Sequence, residues 1–503
     1  MTLSQELADW AAGLQLHDVP PRVVEYAKSQ LLSQLAAARG GLDHPIGAAV
    51  TQAFGPLLQR DPKQSACALA AMTAWLHFDD TAYAGHISHS TVNVPCAYAR
   101  SLRLDGAALL TAIIAANEFT GRVVAAATLS EFRGQTAAYT HLAGSVSARL
   151  RAENAPAEMW VSALGLAFSM PPWTLRRAFL GSDGKILCAT TPVRTGLDAC
   201  DVAAAGLRGA EDILEHPDGF LARFATVPLP ATITRGLGQR WHTDTLSFKV
   251  QPGGPGTDVA VDCALELRKE LGAIDVDDVD EVVVRGSRYT VDVERRIAPY
   301  MSGADSPVSA LIFSVGYAVA TALLTGSLGP RDFARPALAE PDRWALAAKI
   351  RLEHDLEMTT RFRRSEIPLG EALREAGPEI AGRWLQSNGA VGGLEELKAT
   401  ILPPSASFEL SEKVTPARVT VRMTDGRVVE RGRDIPLGGA GSDTRERHAQ
   451  LVADKFLATG GTSDVVEGIA SLERASADEV ARLLAAGLRR RRPTSATPRI
   501  AAA

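Results

Sequence analysis

The sequence predicts a mainly α-helical protein interrupted by an α+β insertion. Two changes of pattern along the 503 residues carry that expectation. Up to about residue 244 the chain is rich in Ala and Leu, and apolar residues recur three or four apart, the period of a helix face. Near Ser247 the pattern turns to β-branched runs with period-two alternation. Beyond Pro436 and the glycine cluster that ends at Gly441 it returns to helical spacing. The predicted organisation is a large helical domain from residues 1–244 and 441–503, and a smaller α+β domain over 245–440.

Taken in order, residues 3–14, 21–39, 66–76, 106–128, 145–152 and 157–168 read as helices. Residues 109–116 are apolar nearly all round, which suggests a central helix covered by others. In the insertion, 258–271 and 309–324 read as helices. Val282, Val283 and Val284 open a predicted strand over 281–293, and the alternation of Ile350 and Leu352 marks another over 349–357. Residues 418–434 read as a hairpin: Val419, Val421 and Met423 alternate, Thr424-Asp425-Gly426-Arg427 turns, and Val428 and Val429 resume. Residues 361–404 mix Gly, Pro and short helical pieces, and are long enough for an elaboration rather than a connection. Helices are predicted again over 444–458 and 477–490.

Composition removes several function classes. Hydrophobic residues make up 46% of the chain and charged ones 22%, the balance of a folded soluble protein rather than a disordered chain. Lys and Arg number 53 against 58 Asp and Glu, so no basic field points to nucleic acid or an anionic membrane. No apolar run reaches the roughly 18 residues of a membrane span, and residues 1–9 lack a secretory pattern, so the expected location is cytoplasmic. The five cysteines are scattered without a CxxC pair, which signals neither a zinc ribbon, an iron–sulfur cluster nor a disulfide framework. There is no Walker loop, strand-embedded GxGxxG or GxSxG elbow. No cofactor is expected.

The densest polar cluster is His77-Phe78-Asp79-Asp80-Thr81, followed by His86-Ile87-Ser88-His89. Three histidines and two carboxylates within thirteen residues are unusual in a chain with ten histidines. One reading is a metal site, but HxxH without a second ligand cluster signals metal weakly, and none is expected. A second is structural: Asp79 and Asp80 cap the next turn while the histidines bond the backbone. The third, preferred here, is an acid–base loop, because an unperturbed histidine titrates near pH 6.5 and a carboxylate can orient it.

Lysine is rare, nine in the chain, so Lys185 after Gly181-Ser182-Asp183-Gly184 draws notice. A lysine at a helix start suits a carboxylate, through its charge and the free backbone N–H groups. Arg194 would add a bidentate contact from the same helix. Lys249 lies where helical pattern gives way to α+β pattern, the place from which a closing element would carry a binding residue. Glu118 and Arg122, four apart on the apolar helix, read as a structural ion pair.

In shared order these segments resemble the MmgE/PrpD family of 2-methylcitrate dehydratases, cis-aconitate decarboxylases and iminodisuccinate epimerases. The resemblance rests on Phe78-Asp79-Asp80-Thr81, Ser90-Thr91-Val92-Asn93-Val94-Pro95, Asp105-Gly106 and Asn117-Glu118-Phe119 through Arg122. It continues with Lys185 and Gly196, Lys249, residues 313–326 and Thr424-Asp425-Gly426. It implies a large helical domain from both chain ends, a smaller α+β lid, an active site in the cleft between them, and usually a homodimer. The family's chemistry needs no metal, nucleotide or prosthetic group.

The chain also departs from the family. His77 stands where an Asp is usual, and Ser88-His89 replaces His-Pro, which leaves His86 or His89 for that role. A family histidine falls on Gln135, His141 stands where glycine is usual, a tyrosine has its near match in Tyr289, and a histidine after the lid lysine becomes Gly254. The resemblance therefore implies a dehydratase acting on a hydroxylated di- or tricarboxylate, or on a larger acid with such a head group, with a reshuffled histidine set that fits an unusual, secondary-metabolic substrate. Decarboxylase or epimerase chemistry and a non-catalytic relative are the alternatives. In this reading His86 or His89 is the acid–base, with His141 the second candidate. Asp79 or Asp80 orients it, Thr81 donates to a substrate oxygen, Lys185 and Lys249 hold carboxylate, and Gln135, Arg194 and Tyr289 complete the binding set.

Overall fold

The computed structural model describes residues 1–130, 136–388 and 401–490. Helices dominate it, with one four-stranded sheet and one two-stranded pair. Leu3–Gly13, Pro21–Asp43, Pro62–Ala74, Gly106–Ala126, Thr136–Ala152, Ala157–Ala167 and Lys185–Ala204 form the first helical stretch. Gly106–Ala126 is long and apolar enough to cross a membrane, yet most of it is buried inside the protein, as its all-round apolar surface predicts. The Thr136–Ala152 helix is longer than the predicted 145–152, because small residues hide its N-terminal apolar face from a periodicity search. Gly144 on it lets two helices close up, since a Cβ there would meet Ser90 Oγ at 2.1 Å.

The two chain ends are stitched together. Arg39, on Pro21–Asp43, donates to the carbonyls of Thr459, Gly460, Gly487 and Arg489 at 2.6–3.1 Å. These carbonyls close the Ser442–Ala458 and Ala477–Gly487 helices, whose free C-terminal carbonyls need donors. Lys455 reaches from the first of these to Ser33 Oγ (2.9 Å) and the Phe78 carbonyl (2.5 Å), so the C-terminal segment touches the polar loop.

The main sheet runs β4–β3–β5–β6, with β3 at Val279–Gly286, β4 at Ile350–His354, β5 at Ala417–Met423 and β6 at Val428–Arg433. β3 pairs parallel with β4 and antiparallel with β5. Val282, Val284, Val419 and Val421 face the core shared with the Asp258–Leu271 and Val315–Thr325 helices. The charged edge strand β6 discourages further pairing.

Three expectations need correction. The strand predicted over 281–293 ends at Gly286, because Ser287 caps a new helix, Arg288–Ile297, with its side chain accepting from Thr290 N. The strand over 349–357 ends at His354, where Asp355 caps Leu356–Arg363 by accepting from Met358 N at 2.9 Å. The helix over 309–324 breaks at Ser314, the cap of Val315–Thr325, leaving Val308–Leu311 as a separate turn. The hairpin stands as predicted, with Gly426 in the left-handed region (φ 91°) its turn requires. Part of the elaboration over 361–404 folds as Glu371–Ala376 and Pro378–Ser387 and packs on Leu129 and Leu229.

Candidate active site

Asp61 caps the Pro62–Ala74 helix by accepting from Lys63 N (2.9 Å) and Gln64 N (3.3 Å). The helix ends pointing its last carbonyls at the polar loop that follows. Lys185 fills that end: its Nζ donates to the carbonyls of Ala74 and Trp75, the latter at 3.1 Å, as a cation at a helix C-terminus should. Lys185 is 1% exposed. Burial pushes its ammonium down to about 7, although Asp79 draws it back up.

The loop then makes a two-residue strand, β1 (Asp80–Thr81), antiparallel to β2 (Ser247–Phe248). Neighbouring side chains on a strand point to opposite faces, which separates Asp80 from Thr81. Asp80 turns inward and accepts from Ser88 Oγ, which also accepts from Gln30 Nε2 at 2.7 Å. Burial, then the charge of Asp79, raises the Asp80 carboxyl above its usual range. Its place is structural, and so is that of Lys455 beside it, lowered by burial. Thr81 faces the other way and accepts from Lys413 Nζ at 3.0 Å.

Asp79 is fully buried and gathers two histidines. Both of its oxygens accept from His86 Nδ1, at 2.9 and 3.0 Å, and His89 Nε2 lies 3.4 Å from one of them. Burial alone would raise Asp79, but its contacts with His86 and His89 overcome it and hold the carboxyl well below the usual range. His86 thus carries its proton on Nδ1 against the carboxylate, and its Nε2 stays available. His89 is engaged on both sides, since its Nδ1 meets Thr73 Oγ1 at 3.0 Å. Asp79 therefore orients histidine instead of capping the next turn.

Four imidazoles form one row. His77 stacks on His86 at 4.3 Å, His86 on His89 at 6.0 Å, and His89 leans on His141 at 5.4 Å. His141 Nδ1 meets Ser90 Oγ at 3.0 Å, a contact that the missing Cβ of Gly144 permits. His77 sits in the left-handed region at φ 46°, as Tyr83 does at φ 50°, so two strained residues bracket the carboxylate turn. Burial, then the cation of Lys185, keeps His77 neutral, and burial, then His89, does the same for His141.

The buried histidines, His242 beside Glu118 among them, carry a pH prediction. His89 and His242 are each held down to about 4, mainly by burial, against 6.5 in the open chain. Between these values the unfolded chain binds protons that the native one refuses, so stability falls as pH falls. Each ring should withdraw on the order of 1–2 kcal/mol between pH 7 and 5. Thermal melts at pH 7.5, 6 and 5 should show Tm dropping stepwise, and a flat Tm would mean that these rings are not neutral in the fold.

The Glu118–Arg122 pairing is corrected. Glu118 accepts from His242 N, Thr243 N and Thr243 Oγ1, each at 2.8 Å, while Arg122 donates to the carbonyls of Arg235 (2.8 Å) and Arg240 (2.9 Å). Each closes a turn of backbone instead of bonding the other, because the 233–243 segment packs between them with open peptide groups. Arg194 also leaves the site: it donates to Gln64 Oε1 on the flank of the Pro62–Ala74 helix. Gln135 lies outside the described residues. Tyr289 stands on the Arg288–Ile297 helix, stacked on Phe362 at 5.2 Å and beside Gly256.

Lys249 joins the site from β2's end. Its N–H donates to the Asp79 carbonyl at 3.2 Å, and its Nζ bonds Gly253 O (2.5 Å) and Asp258 (3.1 and 3.2 Å). Gly438 allows β2 to seat here, since a Cβ on it would meet Phe248 O at 2.0 Å. A cavity of about 40 Å3 opens between Thr81, Lys249, Asp258 and Lys413. Lys413 was not singled out from sequence; the rarity of lysine that flagged Lys185 applies to it and to Lys455 equally. The ligand atoms of Asp79, His86 and His89 lie within 4.8 Å of one another, so Asp79 joins the HxxH pair as a third group able to take a metal. Against a divalent ion stand the charges of Lys185 and Lys249 near Asp79 and the hydrogen bond that His86 Nδ1 already makes to that carboxylate.

The MmgE/PrpD N-terminal domain matches residues 5–231 and the MmgE/PrpD C-terminal domain residues 253–375, more than half of the chain together. Comparison with curated proteins finds no match.

Proposed function

The chain belongs to the MmgE/PrpD family, whose members include dehydratases and related enzymes, and we propose that it is a cofactor-independent hydro-lyase eliminating water from a hydroxylated di- or tricarboxylate, or from a larger acid with such a head group. The observation that carries this reading is the Asp79–His86 dyad, with Nε2 of a half-buried imidazole left free, and the buried Lys185 close enough for its charge to be felt by Asp79 and by the neighbouring rings His77 and His89. Elimination needs a base for the proton next to a carboxylate, cations for the charge that builds there, and an acid for the leaving hydroxyl. His86 Nε2 takes the carbon-bound proton, and Asp79 stabilises the imidazolium. The C–H pair becomes the new π bond, the C–O bond breaks, and the imidazolium returns its proton so that water departs. Lys185 opposes the charge on the reacting carboxylate, the more strongly because water is excluded, and Lys249, paired with Asp258, adds to the positive field from the adjoining cavity. In this reading residues 245–440 act as the lid over a site held by 1–244 and 441–503.

The test is turnover of a panel of hydroxylated di- and tricarboxylates in deuterated water, with and without a chelator. Expected is an alkene product formed at an unchanged rate in chelator. Deuterium incorporation without loss of water would replace the reading with epimerisation, and carbon dioxide release with decarboxylation. Activity lost to the chelator and restored by a stoichiometric metal would overturn cofactor independence.

A further inference from the structure

The cavity beside Thr81 contains a cation that the chemistry above does not use. Lys249 has its own counter-ion in Asp258, at 3.1 Å. Lys413 has none: its Nζ bonds Thr81 Oγ1 at 3.0 Å, and among the described residues no carboxylate lies within 4.0 Å of it. Two ammonium groups and one carboxylate leave the cavity one positive charge in excess. Its volume of about 40 Å3 leaves room for a small polar group such as a carboxylate.

Lys413 is held in place rather than hanging in solvent. Its N–H donates to Ala440 O at 2.9 Å, Val414 N–H to Ser365 Oγ at 2.8 Å, and Thr415 N–H to Asp434 O at 2.8 Å. The cavity adjoins the dyad, because Thr81 is two residues from Asp79 and the Lys249 N–H bonds the Asp79 carbonyl. We propose that Lys413, with Thr81, forms the pocket for a second, remote carboxylate, and so restricts the protein to acids bearing at least two carboxylates. The assignment rests on the polycarboxylate reading above and adds to it the residue that selects the remote group. A lone carboxylate at the reacting end leaves Lys413 without an anion, whereas a dianion pairs both ends of the site. Lowered by burial and by Lys249 to about 8, Lys413 remains largely charged at neutral pH.

Unreactive probes separate this from the reaction itself. Calorimetric titration should show glutarate binding at least about tenfold tighter than its monoamide, glutaramate, to the wild-type chain. Lys413→Met should bring the two within about twofold, and Lys413→Arg should keep the preference. Lys413→Gln serves if the Met variant fails to fold. A neutral variant that retains the wild-type preference, or a wild-type chain without one, overturns the proposal. A chain that dehydrates nothing yet shows the Lys413-dependent preference sinks the hydro-lyase reading alone.

Discussion

Replacing His86 by Asn is expected to lower kcat/KM by about three orders of magnitude, within the range that a positioned general acid–base contributes. Only this ring of the row combines a carboxylate on one nitrogen with a second nitrogen that is free. His89 spends its nitrogens on Asp79 and Thr73, and His141 is tied to Ser90. KM should change little, since in the proposed mechanism His86 acts on the proton in flight rather than on the bound acid. The matching variant, His89→Asn, should cost far less turnover. If His89→Asn proves the more damaging of the two while both stay folded, the base has been placed one ring too early in the row.

Replacing Lys185 by Met is expected to lower kcat/KM at least a hundredfold, on the order of 3 kcal/mol, because the lost charge opposes negative charge that grows in the transition state. The same change leaves the carbonyls of Ala74 and Trp75 without their buried donor, which should cost about 1–3 kcal/mol of stability. The two effects separate experimentally: denaturant melts read the second, and initial rates below the melting range read the first. A variant destabilised by that amount but with wild-type turnover would make Lys185 a helix-end plug and nothing more.

Much of the architecture was legible in the sequence because helix and strand periods are local. The Gly106–Ala126 helix announced its burial through apolar residues on every side, and the hairpin announced itself through alternation and Asp425-Gly426. The three misread segments of the α+β insertion share one cause. At Ser287, Ser314 and Asp355 a single side chain closes a backbone N–H and begins a helix inside an apolar run, a signal one residue wide against a pattern many residues long.

The site divides in the same way. Sequence alone singled out Asp79, His86 and His89 as a cluster of titratable groups, Lys185 as a rare lysine after a glycine-flanked turn and Lys249 at the change of pattern, while His141 came from the departures from the family pattern. What it left open was which of them meet. Tertiary structure tied Asp79 to His86 and set His77 and His141 at the two ends of one row of rings. It sent Arg194 to a neighbouring helix, separated Glu118 from Arg122, and brought Lys413 to Thr81 across 332 residues of chain. Residue type and spacing determine which groups can ionise and which segments coil. The partner of a given nitrogen, and the depth at which water stops screening it, depend on the packing of segments distant in sequence, such as Gly144 against Ser90 and Gly438 against Phe248.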